Sequence, residues 1–292
     1  ISHNAAISAC EKGELWQEAL AVFADMVRSV LEPNVITYTT TISACERGDK
    51  WQLAVELLAG MHRDSLVPHM ITFSTAMSAC ARCMEMDWVL HFVERMQQQG
   101  VTPNVVCYNV AISACERIKR PDRAMELFGD MMQKGLSPDF TTYSSMISLC
   151  ESGRALELFE SAQQQGFTAD AVMYNAAISA CKKGHFWHDA LGLVAGMRHS
   201  RLSPDVYTFS AAISACSKGQ QPNRALDLFE GMEQQGLTSN VITYSAAISA
   251  CEKGGKWEWA LALLRGMRQQ GLTPDLITYN AAISACEKGG QS

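Results

Sequence analysis

The sequence has no run of apolar residues long enough to cross a bilayer, so it predicts no membrane span. Its seven histidines are scattered, and the zinc deaminase pattern, His-Xaa-Glu followed by Pro-Cys-Xaa-Xaa-Cys, does not occur. Cys80 and Cys83 form a lone CxxC, whereas a structural zinc site normally takes a second pair of ligands. We therefore expect no enzymatic activity, no metal site and no cofactor within these residues.

A net positive charge is also missing. The formal charge is −6, since 24 lysines and arginines stand against 30 aspartates and glutamates. That balance argues against a nucleic-acid partner, because contacts to phosphates dominate the affinity of proteins that bind nucleic acids. Such a partner would require the cations to be gathered along one surface.

Cysteine, in contrast, is abundant and regularly placed. Nine of the eleven cysteines recur at intervals of 35 residues, with a single interval of 31 between Cys150 and Cys181. A fixed period of this length marks an array of stacked repeats. Equivalent positions in stacked helices lie about 8–10 Å apart, too far for a disulfide, so we expect buried, reduced thiols in a compartment that preserves them. The nine are Cys10, Cys45, Cys80, Cys115, Cys150, Cys181, Cys216, Cys251 and Cys286.

Each repeat contains two amphipathic segments. In residues 35–69, Tyr38, Ile42 and Cys45 have the i, i+4, i+7 spacing of one helical face. After a break at a glycine, a second apolar stripe covers Trp51–Met61. The pattern predicts two antiparallel helices joined by a tight turn.

The cysteine register divides the chain into repeats of one elongated domain. The short repeat lacks four residues between Gly153 and Ala155, close to one helical turn, so we expect a cramped turn or a shortened second helix there. Both ends of the sequence fall inside a repeat, which we interpret as a piece of a longer chain. The repeats are 1–34, 35–69, 70–104, 105–139, 140–170 (short), 171–205, 206–240, 241–275 and 276–292 (partial).

The repeated motif resembles the pentatricopeptide repeat family over essentially the whole chain. It reads Val-Ile-Thr-Tyr-Xaa-Xaa-Xaa-Ile-Ser-Ala-Cys, then Trp-Xaa-Xaa-Ala-Xaa-Xaa-Leu-Xaa-Xaa-Met, then Gly-Leu-Thr-Pro-Asp. The related tetratricopeptide array has a period of about 34 residues and a different signature. The resemblance implies an all-α, right-handed superhelical solenoid with the first helices on its concave face. It also implies single-stranded RNA binding, one base per repeat.

Two polar positions in each repeat are candidates for reading a base, because short donors and acceptors there suit a Watson–Crick edge. The last residue of each repeat also suits a helix N-cap, and capping alone remains an alternative at that position. The first set is Asn4, Thr39, Ser74, Asn109, Ser144, Asn175, Ser210, Ser245 and Asn280. The second set is Asn34, His69, Asn104, Asp139, Asp170, Asp205, Asn240 and Asp275.

A third position, three residues before the first set, is mostly Ile or Val. In the family this residue lies between successive bases, while ordinary helix packing is the alternative. The position is occupied by Ile1, Ile36, Ile71, Val106, Thr141, Val172, Tyr207, Ile242 and Ile277.

One cation per repeat stands two residues after the repeat cysteine, where it is placed to meet one phosphate per nucleotide. A cation at a helix C-terminus also complements the helix dipole, and both roles are compatible. These residues are Lys12, Arg47, Arg82, Arg117, Lys183, Lys218, Lys253 and Lys288, with Ser152 as the departure in the short repeat.

The family's pairing rules imply a base for most repeats, on RNA that runs parallel to the chain. The resulting octamer is 5′-YNAUGUAG-3′, and the guanine of the short repeat is its least secure base. The pairs are Asn4/Asn34 (a pyrimidine, with cytosine favoured), Thr39/His69 (unassigned), Ser74/Asn104 (adenine), Asn109/Asp139 (uracil), Ser144/Asp170 (guanine), Asn175/Asp205 (uracil), Ser210/Asn240 (adenine) and Ser245/Asp275 (guanine).

The resemblance further implies a role in processing, stability, editing or translation of RNA in mitochondria or chloroplasts, although no residue here indicates the compartment. The alternative function is a scaffold for protein partners, as helical arrays often are. A scaffold face should vary in size and hydrophobicity, whereas the candidate face alternates among Asn, Ser and Thr. A catalytic domain or protein partners outside this sequence stay compatible with both readings.

Overall fold

A computed structural model describes residues 2–289, in which helices are joined by short turns and no strand occurs. The predicted fold class, an all-α solenoid of helical hairpins, is confirmed for this range, while the handedness of the superhelix stays a prediction. Ile1 and residues 290–292 lie outside the described residues. The helices are α1 (Ser2–Lys12), α2 (Trp16–Arg28), α3 (Val35–Arg47), α4 (Trp51–Arg63), α5 (Met70–Arg82), α6 (Met86–Gln98), α7 (Val105–Arg117), α8 (Pro121–Gln133), α9 (Phe140–Leu149), α10 (Ser152–Gln164), α11 (Ala171–Lys183), α12 (Trp187–His199), α13 (Val206–Lys218), α14 (Pro222–Gln234), α15 (Val241–Lys253), α16 (Trp257–Gln269) and α17 (Leu276–Lys288).

The tight turn inside most repeats follows from how the first helix ends. After α3, Asp49 adopts the left-handed conformation with φ of 55°. Its N–H donates to the carbonyl oxygen of Glu46, and the N–H of Lys50 donates to that of Cys45 at 2.9 Å. This pair of bonds is a Schellman motif, which satisfies the last carbonyls of the helix and reverses the chain. Helix α4 can therefore start at Trp51, antiparallel to α3.

The helices pack into two compact halves, one ending at Ser145 and the other beginning at Met146. In the first half α1, α3, α5 and α7 pack side by side in chain order, and in the second half α11, α13, α15 and α17 do the same. A second helix such as α4 or α14 packs on the first helix of its own repeat and on that of the next repeat. Within each half, the first helices therefore form a continuous layer.

The repeat cysteines belong to the core of these stacks. All eleven cysteines are free thiols, and only Cys10, Cys83 and Cys286 are partly exposed. Burial raises the pKa of Cys45 and Cys181 to about 12. Such thiols stay protonated at neutral pH and pack as small apolar side chains. No cluster of three or more His, Cys, Asp or Glu residues suited to a metal occurs within residues 2–289, and no helix in that range is long and apolar enough to span a membrane.

Of the two alternatives expected for the short repeat, a cramped turn or a shortened second helix, the second does not occur. Its second helix, α10, has the usual 13 residues, whereas its first helix, α9, has only 10. The missing residues are the end of the first helix and one residue of the turn. As a result Ser152 is the first residue of α10, buried, with its hydroxyl donating to the carbonyl oxygen of Ala180 at 2.6 Å. Ser152 thus takes the place that Trp51 has in α4, and the cation position is deleted rather than substituted.

Candidate nucleic-acid interface

The last residue of each full repeat is the N-cap of the next first helix. The cap residues have extended backbones, with φ near −100° at Asn34 and Asp205. The Oδ1 atom of Asn240 accepts the N–H of Thr243 at 2.9 Å, and that of Asp205 accepts the N–H of Thr208 at 2.8 Å. His69 caps α5 in the same way through Nδ1. Capping is therefore a real role of this position, as the sequence suggested.

Capping uses only one of the two polar atoms at the head of the side chain. When Oδ1 of Asn240 faces the helix, its Nδ2 donors point away from the cap. When Oδ1 of Asp205 faces the helix, the second carboxylate oxygen stays available as an acceptor. At Asn240 and Asp205 the cap thus fixes the orientation of the side chain and leaves one polar atom for a ligand. Capping and base reading are compatible at this position.

The first polar position lies beside this cap, in the opening turns of the preceding first helix. The Nδ2 atom of Asn109 donates to both carboxylate oxygens of Asp139, at 3.0 and 2.9 Å. The hydroxyl of Ser210 donates to the carbonyl oxygen of Val206 at 2.7 Å. The two members of the predicted pair Asn109/Asp139 therefore meet in space although 30 residues separate them in sequence.

A residue that the sequence reasoning missed joins the two members of most pairs. It is the third residue of the following first helix, a fully buried threonine in six of eight cases. Its Oγ1 lies within hydrogen-bonding distance of both pair members in each of these six cases. The distances from Oγ1, first to the first polar position and then to the cap residue, are 2.7 and 3.0 Å at Thr37, 2.9 and 3.1 Å at Thr72, 2.5 and 3.0 Å at Thr142, 2.6 and 2.8 Å at Thr208, 2.7 and 2.9 Å at Thr243, and 2.5 and 2.6 Å at Thr278.

The third candidate position is exposed to solvent in every described repeat. Ile36 is 61% exposed, Val172 64% and Ile277 70%, and Tyr207 is 57% exposed. Packing within the array does not explain apolar side chains with such exposure, because packed side chains are covered. The same exposure holds for Ile71, Val106, Thr141 and Ile242. These residues form an apolar row beside the polar pairs within each half.

The candidate cations lie on the same helical face as this apolar row. Lys218 follows Tyr207 by eleven residues, which is close to three helical turns, so the two positions are about 16 Å apart on one face. Within residues 2–289, the ammonium groups of Lys12, Lys183, Lys218 and Lys253 make no ion pair.

The other four cations contact the preceding repeat. Arg47 lies 3.7 Å from the carboxylate of Glu11, and Arg82 lies 2.9 Å from that of Asp49. Lys288 pairs with Glu252 at 2.9 Å, which holds the pKa of that carboxyl below its usual value. The guanidinium of Arg117 donates to the carbonyl oxygen of Ala81. These contacts cross between successive repeats and are exposed, so each contributes little to stability, about 0–1 kcal/mol.

Comparison with protein families identifies the array. The family model described as "Pentatricopeptide repeat domain" matches residues 21–83, 157–219 and 227–288, together more than half of the chain. The models "PPR repeat family" and "PPR repeat" match residues 103–151 and residues 1–29, 71–101 and 207–237, respectively. A comparison with curated proteins finds no match.

Solved structures share the fold. The crystal structure of the pentatricopeptide repeat protein PPR10 from maize has a TM-score of 0.65 at 23% identity, covering 99% of this chain and 42% of that chain. The nuclear proteinaceous RNase P 2 from A. thaliana has a TM-score of 0.55 at 14% identity, covering 62% of this chain and 42% of that chain. The PPR domain of Arabidopsis thaliana protein-only RNase P 1, solved in complex with tRNA, has a TM-score of 0.53 at 15% identity, covering 57% of this chain and 90% of that chain. The chain thus spans less than half the length of the maize protein.

Proposed function

Because the chain belongs to the pentatricopeptide repeat family, we propose that it binds single-stranded RNA and selects one base with each repeat. The observation that carries this proposal is the geometry of pairs such as Asn175/Asp205 and Ser210/Asn240: a capped side chain with one free polar atom beside a second polar side chain. The likeness in fold to a domain solved with tRNA supports an RNA partner. We further propose that the RNA is an organellar transcript whose processing, stability, editing or translation depends on this binding.

The free atom of the cap residue accounts for half of the proposed base code. Guanine and uracil carry an N–H donor on the ring nitrogen of the Watson–Crick edge, while adenine and cytosine carry an acceptor there. The free carboxylate oxygen of Asp205 or Asp275 complements a donor, so these repeats take uracil or guanine. The free amide donors of Asn240 complement an acceptor, so this repeat takes adenine or cytosine.

The first polar position accounts for the other half through size. Ser210 and Ser245 turn their hydroxyls back onto the carbonyl oxygens of Val206 and Val241, which leaves more room beside the cap residue. A purine fits that space better than a pyrimidine. Asn109 extends across to Asp139 and fills the space, which favours the smaller pyrimidine. The combination supports 5′-YNAUGUAG-3′ as the target.

The exposed apolar row and the cations complete the proposed binding mode. Side chains such as Ile242 and Tyr207 cover the faces of successive bases, where apolar and aromatic contacts favour stacking. Unpaired cations such as Lys218 meet the phosphates. Because only part of the cation row is free, we propose that the binding energy comes mainly from the bases, which reconciles an acidic protein with an RNA partner.

The salt dependence of binding tests the role of the free lysines. We expect the octamer to bind more tightly than a scrambled octamer, and the logarithm of its affinity to fall linearly with the logarithm of salt concentration. Replacing both Lys218 and Lys253 by Gln should reduce that slope by about 0.7 for each lost phosphate contact. The measurement is fluorescence anisotropy of labelled RNA over a salt series.

Arg265→Gln is the matched control, because this exposed cation lies on the second helix α16 and away from the candidate surface. It should leave the slope unchanged. Equal affinity for the octamer and its scrambled version would contradict base selection. An unchanged slope in the double lysine variant would contradict phosphate contacts at these lysines.

A further inference from the structure

We propose that the third residue of each first helix, here called the bridging position, determines how strictly the preceding repeat selects its base. The inference rests on the proposed RNA-binding function and assigns a positioning role to residues that do not touch the base themselves. The bridging position is occupied by Thr37, Thr72, Cys107, Thr142, Met173, Thr208, Thr243 and Thr278.

The hydroxyl of Thr243 shows how the bridge works. It donates its single proton to Oδ1 of Asn240 at 2.9 Å, and its oxygen accepts the hydroxyl of Ser210 at 2.7 Å, a proton that Ser210 shares with the carbonyl oxygen of Val206. The backbone N–H of Thr243 also donates to that Oδ1. The amide oxygen of Asn240 thus has two donors on the protein side, which holds its Nδ2 group towards the ligand. The same hydroxyl fixes the position of Ser210, so one buried atom orients both members of the pair.

Burial of the bridging hydroxyl holds the two reading side chains in one orientation. Thr243 is fully buried, so water does not compete for its hydroxyl. A hydrogen bond in such surroundings is stronger than one at the surface, and breaking it leaves a buried polar atom without a partner. A side chain held in this way presents its free atom in one direction and therefore distinguishes a matching base from a mismatched one.

Two repeats of this chain have the same residue types in the reading pair and differ at the bridging position, so the effect of the bridge can be compared between them. Ser210/Asn240 is followed by Thr243, whereas Ser74/Asn104 is followed by Cys107. Cys107 is equally buried, and its backbone N–H still donates to Oδ1 of Asn104 at 3.0 Å. A thiol is a weak donor and acceptor. The hydroxyl of Ser74 donates to the carbonyl oxygen of Ile71 at 2.9 Å, and it lacks the second partner that Thr243 gives Ser210. The cap is kept at this repeat, but the bridge is lost. We therefore infer that the third base of the octamer is selected less strictly than the seventh, although the reading residues are of the same types.

The test removes the bridge at one repeat and builds it at another. Thr243→Val keeps the shape of the side chain and deletes its hydroxyl, and Thr243→Ser keeps the hydroxyl. Cys107→Thr introduces one. Affinities are measured by anisotropy for octamers carrying each of the four bases at the third, seventh or eighth position.

We expect Thr243→Val to reduce the preference for adenine over the other bases at the seventh position by about two- to tenfold, the effect of one hydrogen bond. The preference at the eighth position should stay unchanged, and Thr243→Ser should keep most of the preference at the seventh. Cys107→Thr should raise the preference for adenine at the third position by a similar factor. A loss of stability cannot raise the preference for one base, so this gain would distinguish a positioning role of the bridging residue from an effect on folding.

Unchanged preferences at the third and seventh positions in variants that still select the octamer would overturn the bridging role and leave the proposed function intact. An equal loss of preference at all eight positions in Thr243→Val would also overturn it, since the residue would then act on the fold alone. Failure of the unaltered protein to select the octamer would instead overturn the proposed function.

Discussion

Replacing Asn109 by Ser is expected to change the fourth preferred base from uracil to guanine and to leave the other seven preferences unchanged. The amide of Asn109 spans the gap to Asp139, with its Nδ2 atom 3.0 and 2.9 Å from the carboxylate oxygens. A serine there would turn towards the carbonyl oxygen four residues earlier, as Ser245 does at 2.8 Å. The space released admits a purine, and Asp139 still requires a ring N–H donor, which among purines only guanine supplies.

The expected size of this change is about tenfold in the ratio of guanine to uracil affinity, because a polar group left without a partner costs about 1–3 kcal/mol. The measurement compares four octamers that differ only at the fourth base. Ser113→Ala is the matched control on the same helix, since Ser113 pairs with Ser145 and not with a reading residue. A fourth preference that stays with uracil would mean that Asn109 does not read the base.

Replacing Phe229 by Ala is expected to have the largest effect on stability. Phe229 in α14 is 4% exposed, and its ring centroid lies 4.9 Å from that of Tyr244 in α15, the first helix of the next repeat. The same contact recurs between Phe23 and Tyr38 at 5.0 Å, and between Phe159 and Tyr174 at 5.0 Å. Deleting a buried ring leaves a cavity and costs about 3–5 kcal/mol. Because a repeat array is coupled through its neighbours, unfolding should also become less cooperative.

The measurement is urea unfolding followed by circular dichroism, with Trp259→Ala as the control. Trp259 lies on the neighbouring second helix α16 and is 44% exposed, so its removal should change the free energy of unfolding much less. Equal effects of the two substitutions would show that the aromatic contact between repeats does not hold the stack together.

The fold follows from the sequence because its signals repeat in register. The i, i+4, i+7 stripe through Tyr38, Ile42 and Cys45 predicts the buried face of α3, and all three residues are buried. The proline at position 222 predicts the start of α14, which begins there. Each signal is local, and its recurrence every 35 residues removes the ambiguity of a single occurrence.

The short repeat shows where such reasoning fails. Removing one turn of helix keeps the apolar stripe in phase whichever helix loses it. The sequence predicts a cramped turn or a shortened second helix, whereas most of the missing residues come from the first helix, α9. Packing against the next repeat determines where the second helix starts. Ser152 begins α10 because its small side chain fits against α11, where its hydroxyl donates to the carbonyl oxygen of Ala180.

Part of the candidate surface also depends on contacts that sequence alone does not give. The pairing of Arg82 with Asp49 joins residues of neighbouring repeats, and no motif predicts which cations are neutralised in this way. The bridging threonines were visible as a recurrent Thr before the repeat Tyr, as at Thr243 and Thr278. Their role needed the structure, since only the stacking of successive first helices brings that hydroxyl to the pair of the preceding repeat.

Selection from a pool of random RNA tests the reading of one base per repeat most directly. The protein is incubated with a random pool, bound RNA is recovered over several rounds, and the products are sequenced. Enrichment of 5′-YNAUGUAG-3′, in this order and with weaker selection at the third position than at the seventh, is the predicted result. Enrichment of an unrelated motif, of the reverse order, or of no motif would contradict base reading by these pairs.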